Sequence, residues 1–315
     1  MNIVFFGSAE FAVPSLKAIL GTKHRISCVV TQPNRQKGRG LIVADTAIKK
    51  AAQEAGLKVY QPQDINQAES IQELNSLNPD LFVVIAYGQI LSEKLLAIPK
   101  IFSLNLHASL LPKYRGAAPI NWAIINGEDS TGVTAMKMVR QMDAGPLLAQ
   151  EKTNITSQDS AITLEEKLSH LGAGLVLSCL NAIEKGKYDL VEQDGKKSSF
   201  APKLKKEDGC IKWDAPALAI NNLIRGCVAW PGAFTYYRGK LLKIHKAKII
   251  QPFESKAYKS AGQIAEVSQA GIFVITGKDV LIIEQLQIEG KRIMSVKEFI
   301  SGHNISAGDI LGDKK

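Results

Sequence analysis

The sequence contains few of the features that mark membrane, secreted or disulfide-rich proteins. No stretch of about eighteen apolar residues runs uninterrupted, so the sequence predicts no membrane-spanning helix. The first residues lack a basic segment, a long apolar core and a small-residue cleavage site, so we expect a cytoplasmic protein. The cysteines are far apart along the chain, which disfavours a paired metal spacing and a dense disulfide framework and predicts free thiols. They are Cys28, Cys179, Cys210 and Cys227.

Signatures of several common enzyme classes are also missing. The first apolar run ends at residues 7–12, Gly-Ser-Ala-Glu-Phe-Ala, where a dinucleotide-binding fingerprint needs glycine at positions 7, 9 and 12. Only Gly7 is present, which disfavours a nicotinamide- or flavin-dependent dehydrogenase. The sequence has no glycine–lysine phosphate loop, serine nucleophile elbow or His-Glu-x-x-His helix. No histidine belongs to a recognisable ligand pair, so we expect a metal-free site.

The first 190 residues alternate apolar runs with stretches typical of helices. This alternation predicts a Rossmann-like, doubly wound α/β domain with a mainly parallel sheet over residues 1–190. In such sheets ligands bind outside the carboxyl ends of the strands. The predicted strands are 3–6, 26–30, 81–85 and 101–106, and the predicted helices are 13–20, 46–55, 65–77 and 161–185.

The remaining chain reads as a second, smaller domain. A polar segment at 191–205 has the composition of a linker, and beyond it short β-rich runs are separated by glycines. This pattern predicts a small OB-like β-barrel over residues 206–315, with one helix at 216–225. The predicted strands are 241–250, 263–267, 272–276 and 280–283.

Positive charge is concentrated in this second part. The net charge is +9, and residues 191–315 contribute +7 of it, with 20 Lys and Arg against 13 Asp and Glu. Residues 1–190 are nearly neutral, with 19 basic against 17 acidic side chains. A basic domain beside a near-neutral one suggests a polyanionic partner such as nucleic acid, although a solvated lysine-rich surface has the same composition.

Three polar residues form a candidate reaction centre. Asn105 and His107 end a predicted strand, and Asp143 follows 36 residues after the histidine. In an extended strand, Asn105 and His107 share one face with Ser103, while Leu104 and Leu106 point to the core. A carboxylate can hold an imidazole in one tautomer and favour its protonated form, and an amide can donate to a developing oxyanion. The trio suits acyl transfer through a tetrahedral intermediate, although each residue alone is compatible with a structural role.

Residues 105–116 read Asn-x-His-x-Ser-Leu-Leu-Pro-x-x-Arg-Gly, and this run closely resembles the signature of the folate-dependent formyltransferases. The resemblance extends over both predicted domains. Matching stretches lie at 6–14, 31–33, 38–40, 116–120, 132–134, 142–145, 200–203 and 230–233.

The resemblance implies transfer of a formyl group from 10-formyltetrahydrofolate to the α-amino group of methionine esterified to initiator tRNA. Tetrahydrofolate would be the other product, and no metal would be needed. By this resemblance Asn105, His107 and Asp143 are the catalytic residues. The residues expected to contact the folate are Ser109, Leu110, Leu111 and Pro112.

The same resemblance assigns tRNA contacts to a basic, glycine-containing loop at 33–40, where Arg39 occupies the family's arginine position. Charge and flexibility suit phosphate and sugar contacts. Residues 41–46 depart from the lysine- and proline-rich pattern of relatives. The residues predicted to bind initiator methionyl-tRNA are Arg35, Lys37, Arg39, Lys203, Lys205 and Lys206, in a protein that we expect to be a monomer.

Two alternatives stay open at this point. A formyltransferase that acts on a small amine, such as an amino-sugar nucleotide or glycinamide ribonucleotide, would use the same three residues. A noncatalytic RNA-binding protein on an α/β scaffold would explain the charge but not the trio. The basic second domain favours tRNA over a small amine.

Overall fold

The computed structural model describes residues 1–37, 42–250 and 260–312. The first half of the chain forms a seven-stranded sheet in the order β5-β2-β1-β6-β7-β8-β9, of which the first five strands pair in parallel. The parallel strands are β1 (Asn2–Gly7), β2 (Arg25–Val30), β5 (Val59–Tyr60), β6 (Leu81–Ile85) and β7 (Phe102–His107), and the last two are β8 (Ser130–Lys137) and β9 (Leu147–Asn154). All five residues of β6 are buried, as expected for a central strand covered on both faces. The prediction of a mainly parallel, Rossmann-like sheet is confirmed.

The predicted helices are present, with shifted ends. The helix predicted from residue 65 begins at Ala68 because Ile65 and Asn66 have other partners: the Gln89 side chain accepts from the Ile65 amide, and Asp64 accepts from Asn66. Thr46 caps the second helix by accepting from the Lys49 amide at 3.1 Å. The helices are α1 (Val13–Leu20), α2 (Ala47–Glu54), α3 (Ala68–Ser76), α4 (Glu93–Leu96), α5 (Pro119–Ile125) and α6 (Ala161–Glu184).

The antiparallel strands β8 and β9 were not predicted from the sequence. Strand β9, LLAQEKTN, is the outermost strand, and its exposed second half has a polar composition that hides its strand pairing. Strand β8 is buried over six of its eight residues. It pairs with β7 so that His107 lies opposite Thr134 and Asn105 opposite Met136.

Strand β7 is covered on both of its faces. Ser103 is 1% exposed and Leu104 is 0% exposed, because both faces of the strand are covered. Asn105 alone among the six residues of this strand is intermediate in burial. The polar side chains of β7 are therefore held inside the molecule and are not spread on an open surface.

The basic loop predicted at 33–40 contains a short strand. Strands β3 (Arg35–Lys37) and β4 (Ile42–Ala44) pair antiparallel, so the segment is a hairpin at its base. Arg39 lies outside the described residues, as do residues 38, 40 and 41. Before the hairpin, Asn34 donates to Asp45 at 2.6 Å.

The second half of the chain forms an antiparallel sheet in the order β10-β11-β14-β13-β12, with β15 paired to β14. Its strands are β10 (Ala233–Tyr237), β11 (Lys240–Ile250), β12 (Ile264–Ser268), β13 (Gly271–Ile275), β14 (Val280–Ile288) and β15 (Met294–Ser295), and its helices are α7 (Ala217–Gly226) and α8 (Val296–Gly302). The core includes Trp213, Leu242, Leu281, Ile283 and Phe299. The separate β domain is as predicted, and the strand at 233–237 and the helix at 296–302 were not anticipated.

A short segment near residue 310 connects the two edges of this sheet. The Ile264 amide donates to Asp309 O at 2.8 Å, and the Leu311 amide donates to Gly262 O at 2.8 Å, which covers the β12 edge. On the β10 edge, the Gly312 amide donates to Tyr236 O at 2.9 Å. The sheet is thereby closed in the manner of a small barrel.

The contacts divide the chain into two compact units. The first comprises Met1–Pro119, Ser130–Asn154 and Glu165–Pro202, and the second comprises Ile120–Asp129, Ile155–Leu164 and Lys203–Lys315. Two segments that precede residue 165 in the chain thus belong to the second unit. Within that unit Asn121 donates to Gly226 O at 2.8 Å, and Arg225 donates to Thr156 O at 3.1 Å. No helix of the described residues is long and apolar enough to cross a membrane.

Candidate active site

His107 is held between two hydrogen-bond acceptors at the carboxyl end of β7. Its Nε2 lies 2.9 Å from Tyr114 O, and its Nδ1 lies 3.6 Å from Oδ2 of Asp143. The side chain is 7% exposed. A backbone carbonyl on one side of the ring and a carboxylate on the other hold the imidazole in a defined orientation.

Asp143 reaches His107 from a tight turn between β8 and β9. Its backbone is left-handed, with φ of +51°, which is uncommon for a residue with a side chain. Two residues later, a Cβ on Gly145 would lie 1.9 Å from Lys137 O, so only glycine fits there. The Asp143 carboxylate accepts from the Gly116 amide at 2.8 Å. A backbone donor and a constrained turn together fix the direction of this carboxylate.

Asn105 completes the predicted trio from the middle of the same strand. It is intermediate in burial, and no other described residue forms a hydrogen bond with its side chain. Because Asn105 and His107 are two residues apart on β7, their side chains lie on the same face. An amide with unused N–H groups beside a buried histidine can donate to an oxygen that gains negative charge.

Thr134 on β8 forms hydrogen bonds with the backbone of the loop predicted to bind folate. The Thr134 hydroxyl donates to Ser109 O at 2.6 Å and accepts from the Leu111 amide at 3.1 Å. Gln150 donates to Leu111 O and to Thr134 Oγ1, both at 2.8 Å. These hydrogen bonds from Thr134 and Gln150 give the loop a defined shape.

The four loop residues differ in what they can offer a ligand. Ser109 is fully buried, and its hydroxyl donates to Lys113 O at 2.6 Å, so its side chain shapes the loop from inside. Leu111 is also buried, and the Leu111–Pro112 peptide bond is cis. Leu110 and Pro112 are the partly exposed members.

Sequence reasoning missed two further residues of the site. Arg115 is 7% exposed, and its Nε and Nη2 donate to Oε1 of Gln193 at 3.1 and 2.6 Å. The Gln193 amide in turn donates to the carbonyls of Asp143 and Gly145, at 2.9 and 2.8 Å. Arg115 belongs to the sequence signature, but its burial is visible only in the fold, and Gln193 lies in a segment whose composition resembles a linker.

That segment packs along the site over most of its length. The Val191 amide donates to Leu147 O at 2.9 Å, and the Arg115 amide donates to Ser199 O at 2.9 Å. The Ser199 hydroxyl accepts from the Tyr114 amide at 2.9 Å. The residues that flank His107 are therefore fixed by a stretch of chain about 85 positions later.

The residues predicted to bind tRNA come from two parts of the chain. Lys203, Lys205 and Lys206 are exposed and belong to the second compact unit. Arg35 and Lys37 lie on β3, and Arg39 lies outside the described residues. In the described part of the chain, no group of three His, Cys, Asp or Glu side chains is placed to hold a metal ion.

Comparison with known proteins identifies the class. A family model described as formyl transferase matches residues 1–180, and one described as formyl transferase, C-terminal domain, matches residues 203–304. The chain belongs to the formyl transferase family, and its most similar curated relatives place it with the methionyl-tRNA formyltransferases.

These relatives are matched over nearly their whole length. Methionyl-tRNA formyltransferase of Caldanaerobacter subterraneus subsp. tengcongensis is 45% identical over 312 residues, which cover 99% of this chain and 100% of the relative. The Clostridioides difficile enzyme of the same name is 42% identical over 312 residues, with coverage of 99% and 100%. The two domains of the chain are thus matched together and in order.

Solved structures share the fold at low sequence identity. The sugar 3N-formyl transferase WlaRD, crystallised with dTDP and 5-N-formyl-THF, has a TM-score of 0.67 and 20% identity, covering 93% of this chain and 99% of that chain. HypX from Aquifex aeolicus in complex with tetrahydrofolic acid has a TM-score of 0.62 and 16% identity, covering 96% of this chain and 47% of that chain. At these identities the likeness is one of fold alone.

Proposed function

We propose that the protein transfers the formyl group of 10-formyltetrahydrofolate to the α-amino group of methionyl initiator tRNA. The products are N-formylmethionyl-tRNA and tetrahydrofolate. The observation that carries this proposal is the fixed His107–Asp143 pair beside the unused amide of Asn105. The full-length relationship to methionyl-tRNA formyltransferases supports the choice of acceptor.

The reaction passes through a tetrahedral intermediate. The methionine nitrogen attacks the formyl carbon, a C–N bond forms, and the carbonyl oxygen becomes an oxyanion. Asn105 donates a hydrogen bond to this oxygen, since its amide has no competing partner among the described residues. The bond between the formyl carbon and N10 of the folate then breaks, and N10 gains a proton while the attacking nitrogen loses one.

His107 and Asp143 support the charge that develops in this step. His107 lies on the same face of β7 as Asn105 and stabilises the oxyanion together with it, while Oδ2 of Asp143, 3.6 Å from Nδ1 of His107, orients the imidazole and supports it electrostatically. In free enzymes catalytic hydrogen bonds are often looser than in the reacting complex, and a 3.6 Å separation fits that pattern.

The folate lies, in this proposal, against the loop formed by Ser109, Leu110, Leu111 and Pro112. Leu110 and Pro112 supply apolar contact for the donor, and Ser109 with Leu111 keeps the loop in shape. A loop that is rigid before binding loses little conformational entropy when the folate arrives.

The tRNA contacts are assigned to the basic loop at 33–40 and to Lys203, Lys205 and Lys206. Residues 1–190 carry the catalytic groups and residues 206–315 the basic β domain, with 191–205 between them. Lys203, Lys205 and Lys206 are exposed and available for phosphates. Phe200 is 72% exposed, and an exposed aromatic ring can stack on an unpaired base. The cytoplasmic location and monomeric state expected from the sequence stay predictions.

Incubation with 10-formyltetrahydrofolate and three acceptors tests the proposal directly. The acceptors are methionyl initiator tRNA, a dTDP-linked amino sugar and glycinamide ribonucleotide, with uncharged tRNA as the blank. We expect formyl transfer to methionyl-tRNA with a kcat/KM far above that for either small amine. Transfer to a small amine in preference, or binding of tRNA without any transfer, would each refute the assignment.

A further inference from the structure

The side chain of Gln193 connects a buried cation to the backbone that carries Asp143. Its Nε2 donates to Asp143 O at 2.9 Å and to Gly145 O at 2.8 Å. Its Oε1 accepts two hydrogen bonds from the guanidinium of Arg115. The amide thus uses its nitrogen as a donor and its oxygen as an acceptor, and all four hydrogen bonds lie within the first compact unit.

Arg115 makes this amide a rigid support. The guanidinium is buried, and no carboxylate of the described residues lies within ion-pairing distance of it. A buried cation with a single neutral acceptor binds that acceptor strongly and polarises it. Polarisation of the carbonyl end of an amide strengthens the bonds that its N–H groups donate. Arg115 thus anchors Gln193 and reinforces its hold on the two carbonyls.

The turn that Gln193 holds needs this support. Asp143 has a left-handed backbone, and the two bonded carbonyls lie on either side of Ala144. A residue in that conformation keeps it only when its surroundings enforce it. The amide of Ala144 donates to Gln141 O at a long 3.3 Å, so the turn's own hydrogen bond is weak. The side chain of Gln193 is the stronger restraint on the direction of the Asp143 carboxylate.

We propose that Gln193, anchored by Arg115, is a positioning residue for formyl transfer. It sets the geometry of Asp143 toward His107 and does not contact the substrates. The proposal rests on the function assigned above and adds to the trio a residue from the segment between the two predicted domains. That segment is part of the active-site scaffold in addition to joining the domains.

Gln193→Met is the most direct test, because methionine has nearly the same volume and shape but cannot form the four hydrogen bonds. We expect kcat to fall by about 10- to 100-fold, since misplacement of a catalytic group by about 1 Å can cost about 100-fold. KM for the folate and for the amine acceptor should change by less than about threefold. Gln193→Glu keeps an acceptor for Arg115 but loses both donors to the turn, so it should lose kcat to a similar degree.

A double variant separates positioning from a general loss of structure. If Gln193 acts through Asp143, adding Gln193→Met to Asp143→Asn should lower kcat no further, because the two residues act as a unit. The ¹⁵N chemical shifts of the His107 ring should change in Gln193→Met, while Glu192→Gln, an exposed neighbour, should leave both shifts and kcat unchanged. Thermal unfolding of each variant reports its folded state.

Three results would overturn the proposal: wild-type kcat in Gln193→Glu, a loss confined to KM, or a loss that adds in full to that of Asp143→Asn. If Gln193→Met fails to fold, the comparison of Gln193→Glu with Asp143→Asn gives the same decision. The ¹⁵N chemical shifts of the His107 ring can be measured without any amine substrate. The kcat can be measured with whichever amine the wild type formylates. Failure of the tRNA assignment is thus distinguishable from failure of this proposal.

Discussion

The trio and the exposed lysines at 203–206 represent two ways of using polar residues. At the trio, His107 and Asp143 have partners within the fold, and the turn that carries Asp143 is held on both sides. Lys203, Lys205 and Lys206 point into solvent. Bond making requires groups fixed to within a fraction of an ångström, whereas attraction of a polyanion requires only charge near a surface. We therefore expect a single substitution at the trio to cost far more than one among the lysines.

The largest effect is expected from removal of the imidazole. His107→Ala should lower kcat by about 10³-fold or more, because it removes a group that stabilises the oxyanion. Single-turnover formylation measures the loss, and thermal unfolding checks the fold. His170→Ala, at an exposed position on α6, is the matched control and should retain full activity. Near-normal turnover by the His107 variant would show that the trio is structural.

A smaller effect is expected from loosening the loop beneath the folate. Thr134→Val keeps the shape of the side chain but removes the hydroxyl shared by Ser109 O and the Leu111 amide. Unsatisfied buried groups cost about 1–3 kcal/mol, which should raise KM for the folate by about tenfold. Thr153→Val on β9, a partly exposed position, should leave KM unchanged. An effect on tRNA binding alone would contradict the assignment of this loop.

Replacement of the lysines should cause the smallest loss of binding, because several residues share the attraction of the tRNA. Replacing Lys203, Lys205 and Lys206 together by Gln should raise KM for tRNA by about three- to tenfold and reduce the salt slope of tRNA binding by about 2–3. KM for the folate should stay constant. Lys246→Gln with Lys248→Gln is the control, because both lysines pair with Glu284 at 3.1–3.2 Å. An equal change in the control would mean that overall charge, and not this cluster, attracts the tRNA.

The cysteines lie outside the site, so modification of a thiol should have almost no effect on activity. They differ among themselves in burial, as the trio and the lysines do. Burial raises the pKa of Cys28 to about 11 and those of Cys179 and Cys227 to about 12, whereas Cys210 is exposed. A thiol reagent at neutral pH should therefore label one cysteine in the native protein and four after unfolding. Mass spectrometry of the labelled protein identifies the site. Rapid labelling of Cys179 would show that α6 opens in solution.

Much of the fold could be predicted because its central strands are apolar in sequence. Strands β1, β6 and β7 are short hydrophobic runs between helical patterns, and in the second domain Gly262, Gly271 and Gly277 lie close to the ends of β-rich runs. The outermost strand β9 escaped prediction because edge strands with a polar composition carry no clear pattern. It is a strand because its backbone forms hydrogen bonds with β8, and the pattern of its side chains does not reveal this pairing.

The trio could be proposed from the sequence, but the residues that hold it in place could not. Asn105, His107 and Asp143 stood out because their residue types and their place after a strand suited acyl transfer. The sequence around Gln193 is typical of a polar connection. Nothing in it indicates that the Gln193 amide bonds to a turn 50 positions earlier. Interactions at such separations depend on the three-dimensional path of the chain, and the sequence pattern reports only local order.

The segment at 308–312 has a consequence for solubility. It covers the outer edge of β12 through Gly308, Asp309 and Leu311, and it reaches β10 through the Gly312 amide. Uncovered strand edges present unpaired amides and carbonyls that recruit other chains. A protein shortened to residue 307 would keep Asn105, His107 and Asp143 but uncover the β12 edge and part of the β10 edge. We expect it to aggregate at concentrations where the full-length protein stays in solution, so that these five residues protect the β domain against self-association.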